Sequence, residues 1–297
     1  MDSAPRRHMG SFPLRSLALI PLLLLAGAAA FAAPVQRDIP YVEHGQPSQA
    51  LDFYAPSAAQ KEPAPLVVWI HGGAWKLGSR DWITVKYLVD HGWAIASIGY
   101  RFSQDAKFPA QIQDCNAALN FLLENSAKLG FDPRRVVVAG GSAGGHLALL
   151  LGLARDQADW NADPKFRPAA ILDFFGVSDI ATAKKGFTDA AWLKEVDSIY
   201  LQLLGALPAE HPDAAAAASP IHYVKAGAPP VLLIHGEKDD KVPLDQSRDL
   251  EAALDKAGVR NELFVVPGAG HDGPAFASPQ VQKKVLSFLG TIPPSAR

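Results

Sequence analysis

A strand, a glycine-rich turn and a helix follow one another without a break near the middle of the chain, and few folds accommodate that order. Residues 136–146 read VVVAGGSAGGH and contain the pattern Gly140-x-Ser142-x-Gly144. A turn this sharp strains the backbone of its central residue, and the flanking glycines leave room for neighbouring chain. It sets the Ser142 hydroxyl at a helix N-terminus, where the helix dipole favours negative charge. A phosphate-binding loop would continue as Gly-Lys-Ser/Thr, which is absent here, so we predict that Ser142 is a nucleophile.

Short apolar runs rich in Val and Ile alternate with helical patterns along most of the chain. The predicted strands are 66–70, 93–98, 136–139, 170–175, 231–234 and 263–266, and the predicted helices lie near 81–90, 109–129, 143–154, 244–257 and 278–289. This alternation predicts the α/β class, with a mostly parallel central sheet and helices on both faces. Residues 37–56 are expected to form antiparallel edge strands.

The segment 176–229 interrupts this alternation, because it holds more residues than a crossover helix needs. Ligands bind at the carboxyl ends of the strands in such sheets. An insertion that follows a strand end therefore lies over the site, and we predict that residues 176–229 form a helical cap within a single domain.

The N-terminus has the order of an export signal. Basic residues precede residue 16, residues 16–36 carry no charge, and the segment ends in small residues. This order predicts a signal peptide over 1–32, an α/β domain over 33–297, and a periplasmic or secreted protein. The alternative is a transmembrane anchor, since the uncharged stretch is 21 residues long; Pro21 and the alanine-rich end disfavour it.

Charge and cysteine content exclude several classes of partner. The 28 basic and 30 acidic residues give a net charge of −2, and removal of one acidic and three basic residues with the signal makes it −4. Such a protein has no electrostatic reason to bind nucleic acid or an anionic membrane. Cys115 is the single cysteine and falls on an apolar helical face, which indicates a buried structural thiol. Metal-ligand spacing is absent, so neither a metal nor another cofactor is expected.

A serine nucleophile needs a base, and the base needs an acid that orients it. In this architecture the chain order is serine, acid, histidine. Of the nine histidines, His271 lies in a loop just past the last predicted strand, and we predict it as the base. His146 follows Ser142 by one helical turn and is expected to pack rather than react, and His71 and His235 are expected to have positional roles.

The acid should follow the strand 231–234, where the loop reads HGEKDDKVP. Asp239 and Asp240 are both candidates, but adjacent side chains point different ways, so only one can face the histidine. The spacing from Gly236 favours Asp239. Asp179, after the preceding strand, is a third candidate.

The residues His71–Trp75, HGGAW, directly follow the strand 66–70. Two glycines at this point allow backbone N–H groups to turn toward a developing oxyanion, and the N–H of Ala143 can add to them. A chance Gly-Gly turn is the alternative. Trp75, Trp192 and Tyr200 are candidates for lining a substrate pocket, with core packing as the alternative for each.

These motifs together resemble the α/β-hydrolase fold, in its esterase and lipase group with a His-Gly-Gly-x-Trp oxyanion motif. The similarity is greatest to bacterial bifunctional feruloyl and acetyl-xylan esterases and covers residues 50–290. The segments that carry it are His71–Trp75, Ala96–Arg101, Phe108–Ala110, Gly140–His146, Ser219–Ile221, His235–Pro243 and Gly268–His271.

The resemblance implies a triad of Ser142, Asp239 and His271, and an oxyanion site at Gly72, Gly73, Ala74 and Ala143. Ala74 stands where many relatives have a third glycine. The expected activity is hydrolysis of small carboxylic esters, short-acyl or carbohydrate-linked, through an acyl-enzyme. Kynurenine formamidases share the His-Gly-Gly-x-Trp pattern, so an N-formyl amidase is an alternative, as is a non-catalytic binding module. Neither the natural ester nor the oligomeric state follows from the sequence.

Overall fold

The structure is a computed structural model that describes Met1 and residues 35–292. The predicted signal peptide, apart from Met1, lies outside the described residues. Within these residues, eight strands form one sheet in the order β1-β2-β4-β3-β5-β6-β7-β8. The strands are β1 (Val35–Pro40), β2 (Ala50–Tyr54), β3 (Ala64–Ile70), β4 (Ala94–Ile98), β5 (Phe131–Gly141), β6 (Ala170–Phe174), β7 (Val231–Gly236) and β8 (Asn261–Val266).

The sheet is parallel from β4 to β8 and antiparallel at one edge. β1 pairs antiparallel with β2, and β2 pairs antiparallel with β4. All other neighbours are parallel. The predicted mostly parallel sheet and the antiparallel edge strands within 37–56 are confirmed. Parallel strands end at the same edge of a sheet, so the loops after β3, β5, β6, β7 and β8 meet there.

Residues 35–292 contain seven α-helices, six between the strands and one after the last strand. They are α1 (Ala110–Glu124), α2 (Ser126–Leu129), α3 (Ala143–Leu153), α4 (Ala190–Leu204), α5 (Pro212–Ala217), α6 (Asp245–Lys256) and α7 (Pro279–Leu289). The predicted helices near 143–154, 244–257 and 278–289 are confirmed as α3, α6 and α7. Helices α4 and α5 both lie in the predicted cap segment, residues 176–229.

Two predicted helices are wrong in detail. Residues 81–85 form turns, and only Lys86–His91 is helical, as a 3₁₀ helix. The β-branched run Ile83-Thr84-Val85 disfavours an α-helix. The predicted helix 109–129 is broken at Asn125, whose side-chain amide donates to the Phe121 carbonyl and competes with the helical ladder.

Both faces of the sheet are covered, as the apolar strands require. In β3, Leu66, Val68 and Ile70 pack in one core cluster. Val67 and Trp69, which point to the opposite face, pack in the second. Cys115 is fully buried in the first cluster, which confirms the structural thiol.

The helices of the described residues are all too short or too polar to cross a membrane.

Candidate active site

Ser142 occupies the turn between β5 and α3. Its backbone has φ 56° and ψ −121°, a conformation that L residues rarely adopt and that costs on the order of 1–3 kcal/mol. The turn can be this tight because glycines flank it. A Cβ on Gly144 would collide with the Ile70 carbonyl oxygen, and one on Gly140 with the Gly144 carbonyl. The strain and the close packing leave the Ser142 hydroxyl at the sheet edge, at the start of a helix that is buried along its whole length.

The structure brings together the three residues predicted as a triad. His271 Nε2 lies 2.9 Å from Ser142 Oγ, and His271 Nδ1 lies 2.8 Å from Asp239 Oδ2. A carboxylate can only accept, so Nδ1 carries the proton and Nε2 is free to accept from the serine hydroxyl. The three groups follow the ends of β5, β7 and β8, which the parallel sheet places at one edge, with β6 between β5 and β7.

Asp239 is held as a carboxylate. Burial alone would raise its pKa, but hydrogen bonds from His235 and His271, together with the backbone N–H of Val242, hold its pKa below the usual range. Its Oδ1 accepts the N–H groups of Lys241 at 2.8 Å and Val242 at 2.9 Å. The side chain is fully buried. A permanently charged acceptor at this position fixes both the tautomer and the direction of the His271 ring.

The two other candidate acids lie elsewhere. The Asp240 side chain is 74% exposed and pairs with Lys241 at 3.7 Å. Asp179 caps a short 3₁₀ helix, since its Oδ1 accepts the N–H of Ala181 at 2.9 Å. Neither makes the contact with His271 that Asp239 makes.

The loop after β3 lies against the nucleophile. A Cβ on Gly72 would be 3.3 Å from Ser142 Cβ and 2.8 Å from the Gly141 carbonyl, so only glycine permits this approach. Gly73 has φ 114°, and its carbonyl accepts the N–H of Lys76 at 3.0 Å, which closes the turn. Ala74 follows with φ 50°. Ala143 is the first residue of α3, where N–H groups have no partner within the helix.

Two further histidines, His146 and His71, are buried and have structural contacts only. His146 Nδ1 accepts the indole N–H of Trp75 at 3.2 Å, and its Nε2 donates to the Ala218 carbonyl at 2.7 Å. Burial lowers the pKa of His146 to about 4, so the ring stays neutral. His71 stacks on Tyr100 with ring centroids 4.6 Å apart, and burial lowers its pKa to about 4 as well.

The Ser142 hydroxyl and the His271 ring open on a cavity of about 690 Å³. Trp75 lines it but is only 3% exposed. The wall is largely apolar and aromatic, and α4 of the cap forms one side. Its members include Trp69, Trp82, Ile83, Phe175, Val177, Trp192, Val196, Ile199 and Tyr200.

Several of these residues were not predicted from the sequence. Phe175 comes directly after β6 and packs edge-on against His271, with ring centroids 4.9 Å apart. Its position at a strand end is a signal that could have indicated it. Trp82 lies in the turn segment that was predicted as helix, and no sequence signal indicates its place at the cavity mouth. The ammonium Nζ of Lys241, which also lines the cavity, lies 4.3 Å from the ring centre of Trp192.

No group of three or more His, Cys, Asp or Glu side chains that could hold a metal is found in the described part of the chain.

Comparisons with known proteins show the family and the fold of the chain. Residues 51–254 match the model of the BD-FAE family. Esterase LipQ from Mycobacterium tuberculosis is 34% identical over 270 residues, which cover 86% of this chain and 62% of that protein. Esterase LipC of the same organism is 31% identical, covering 76% of this chain and 57% of that protein. The chain thus spans about three-fifths of the length of these curated relatives.

A solved carbohydrate esterase from gut microbiota, in truncated form, superimposes with a TM-score of 0.78 at 29% identity. The match covers 89% of this chain and 97% of that one. Esterase B from Lactobacillus Rhamnosis gives a TM-score of 0.75 at 25% identity, covering 89% of this chain and 86% of that one. With its eight-stranded sheet and a family model that matches more than half of its length, the chain belongs to the BD-FAE family and has the α/β-hydrolase fold.

Proposed function

We propose that the chain is an exported serine hydrolase that cleaves carboxylic esters, with short-acyl esters or acetyl and feruloyl esters on carbohydrates as substrates. The observation that carries the proposal is the hydrogen-bonded line from Ser142 through His271 to Asp239, which opens on a cavity of about 690 Å³. Relatives and structural neighbours named as esterases support it.

The geometry supplies each step of acyl transfer to water. Ser142 Oγ attacks the ester carbonyl while its proton moves to His271 Nε2, 2.9 Å away. The imidazolium then gives that proton to the leaving alcohol, which departs and leaves an acyl-serine. Water takes the place of the alcohol and repeats the sequence, so that the acid is released and Ser142 regains its proton. Asp239 holds the protonated Nδ1 throughout and stabilises the imidazolium.

The tetrahedral intermediates need donors for the oxyanion, and we propose the backbone N–H groups around Gly72, Gly73, Ala74 and Ala143. The close approach of Gly72 to Ser142 and the free N–H groups at the start of α3 support this assignment. Each such donor is worth about 10²–10³ in rate.

The apolar and aromatic wall supports substrates that combine a small polar ester with a flat or apolar group. An aryl acyl group or the face of a sugar ring packs well on indole and phenyl rings. A structural neighbour named as a carbohydrate esterase favours the carbohydrate-linked ester. The cap residues Trp192 and Tyr200 contribute to this wall, so we propose that α4 limits the acyl length.

Hydrolysis of p-nitrophenyl esters of increasing acyl length tests the proposal. We expect turnover that is highest with acetate or other short chains and absent in Ser142→Ala, with acetylated and feruloylated sugars as further substrates. Folded protein that hydrolyses N-formyl arylamides but no ester would instead support the amidase. Protein that binds these compounds without turnover would support a binding module.

Export is tested separately. Full-length protein is expected in the periplasm or medium, shortened at about residue 32, whereas a chain without residues 2–32 stays inside the cell. Full-length protein that remains in the cytoplasm uncleaved would contradict export without affecting the assignment of the reaction.

A further inference from the structure

His235, the second-to-last residue of β7, contacts the acid of the triad. Its side chain is fully buried, and its Nε2 lies 3.1 Å from Asp239 Oδ2. That oxygen is the same one that accepts the proton of His271 Nδ1 at 2.8 Å. Two imidazole rings therefore meet on a single carboxylate oxygen, one on the side of Ser142 and the other inside the core.

The surroundings of His235 determine which of its nitrogens carries a proton. Nε2 faces the Val242 carbonyl at 3.0 Å and the Asp239 carboxylate, both of which only accept. Nε2 must therefore be protonated. Nδ1 lies 2.8 Å from Ser247 Oγ, a hydroxyl that can donate to it. A neutral ring thus satisfies every partner, with Nε2–H shared between the Val242 carbonyl at 3.0 Å and Asp239 Oδ2 at 3.1 Å.

With this contact the Asp239 carboxylate has four polar partners, two on each oxygen. Backbone N–H groups of Lys241 and Val242 hold Oδ1, and the two histidines hold Oδ2. The backbone bonds to Oδ1 alone leave small rotations about the Cβ–Cγ bond, which move Oδ2 out of line with His271. The His235 contact removes that freedom and also takes up part of the negative charge that would otherwise act on His271.

We propose that His235 is a positioning residue for the catalytic acid: its Nε2–H fixes Asp239 Oδ2 in line with His271 and limits the charge that this oxygen presents to the catalytic imidazole. The proposal rests on the hydrolase reaction above. The ionisable groups that act on His235 are Asp239 from the following loop and Asp173 from the neighbouring strand β6. From α6 the ring meets the uncharged Ser247, and from β8 it pairs in register with Val265.

Glutamine and asparagine form a matched pair that tests the proposal. A glutamine amide reaches the position of Nε2 and has two hydrogens, one for Val242 O and one for Asp239 Oδ2. An asparagine amide is one bond shorter and reaches only the position of Nδ1. Both are polar and smaller than histidine, so they differ mainly in the contact with Asp239.

We expect His235→Gln to keep kcat/KM within about threefold of wild type, and His235→Asn and His235→Leu to lose about ten- to a hundredfold, the worth of one hydrogen bond to a charged group. Without the donor, Asp239 holds a proton on His271 more strongly. The acid limb of the kcat/KM profile should therefore move to higher pH in His235→Asn and stay in place in His235→Gln.

A double-mutant cycle separates positioning from general packing. If His235 acts through Asp239, then His235→Asn costs less than about threefold in an Asp239→Asn background. Equal losses in both backgrounds, or an unshifted pH profile in His235→Asn, would overturn the proposal.

The downfield proton resonance of His271 Nδ1–H gives a readout that needs no substrate. It should be retained in His235→Gln and be broadened or shifted in His235→Asn and His235→Leu. If Asn and Leu do not fold, His235→Gln alone decides: loss of this resonance, or a tenfold fall in kcat/KM, refutes the proposal. If the wild-type protein hydrolyses no ester but the resonance still depends on residue 235 in this way, the proposed function is refuted and the positioning contact is retained.

Discussion

Replacing Asp239 with asparagine exchanges a single atom and tests the acid of the triad. Oδ1 of Asp239 accepts the N–H groups of Lys241 at 2.8 Å and Val242 at 2.9 Å, and Oδ2 accepts His271 Nδ1 at 2.8 Å. The asparagine amide has one acceptor oxygen and one donating NH₂ group. It can therefore take two orientations at this position, and the contacts decide between them.

In the first orientation the amide oxygen keeps both backbone bonds, and the NH₂ group faces His271. In the second the NH₂ group meets the two backbone N–H groups, which costs about 1–3 kcal/mol for the partly buried N–H of Val242 and less for the exposed N–H of Lys241. The first orientation gives up only the contact with His235, whose Nε2–H keeps the Val242 carbonyl, and is thus favoured by about 1–3 kcal/mol. It forces His271 Nδ1 to accept, which places the proton on Nε2 and removes the acceptor for the Ser142 proton. We expect kcat to fall on the order of 10⁴-fold.

Asp240→Asn is the matched control, because it makes the same exchange one residue further along. The Asp240 side chain is 74% exposed, and its pair with Lys241 at 3.7 Å is worth at most about 1 kcal/mol. We expect kcat within about twofold of wild type. The assay is p-nitrophenyl acetate hydrolysis at saturating substrate, with thermal unfolding followed by circular dichroism. A loss of less than tenfold in Asp239→Asn, or a larger loss in Asp240→Asn, would refute the assignment.

Three further variants test other parts of the account. Gly72→Ala places a Cβ 2.8 Å from the Gly141 carbonyl. It should lower kcat at least about 10²-fold and leave KM little changed. An unchanged kcat would exclude this loop from the oxyanion site. Burial raises the pKa of Asp173 from 3.8 to about 7, so its stabilising contribution is fully present below pH 4 and lost as pH rises through 7. Between pH 4 and 8 the free energy of unfolding of wild type should fall relative to Asp173→Asn by up to about 4 kcal/mol; parallel curves would contradict the shift. Trp82 lines the cavity and is 53% exposed. Trp82→Ala should raise the KM for aryl esters about five- to tenfold, because about 50 Å² of apolar contact with the substrate is lost, and should leave kcat and Tm unchanged. An unaltered KM would show that Trp82 does not contact the substrate.

The fold was predictable because its strongest signals are local and repeated. Each predicted strand contains a run of at least three apolar residues, and the glycines around Ser142 mark a turn where backbone segments approach closely. Chain order then placed Asp239 and His271 at neighbouring strand ends. These predictions need only the direction and order of strands, which the alternation of strands and helices determines.

Other features depend on tertiary contacts that leave no mark in the sequence. The segment 81–85 has an apolar pattern, but the Trp82 carbonyl accepts the indole N–H of Trp69 at 2.6 Å, and this contact holds it as a turn. In the sequence, nothing distinguishes His235 from other residues at a strand end, and its contact with Asp239 forms only when the following loop folds back. The wall of the cavity combines residues from five loops and α4, whose relative positions no single segment specifies.

Reaction of the mature protein with a fluorophosphonate, followed by intact mass and peptide mapping, tests the central claim most directly. Such a probe bonds covalently to an activated serine and not to an ordinary hydroxyl. We expect one adduct per chain, located on Ser142, with loss of p-nitrophenyl acetate hydrolysis in proportion to labelling. Ser142→Ala should form no adduct, and His271→Ala should react far more slowly than wild type. An adduct on another residue, or full hydrolysis by protein that is completely labelled at Ser142, would contradict the account.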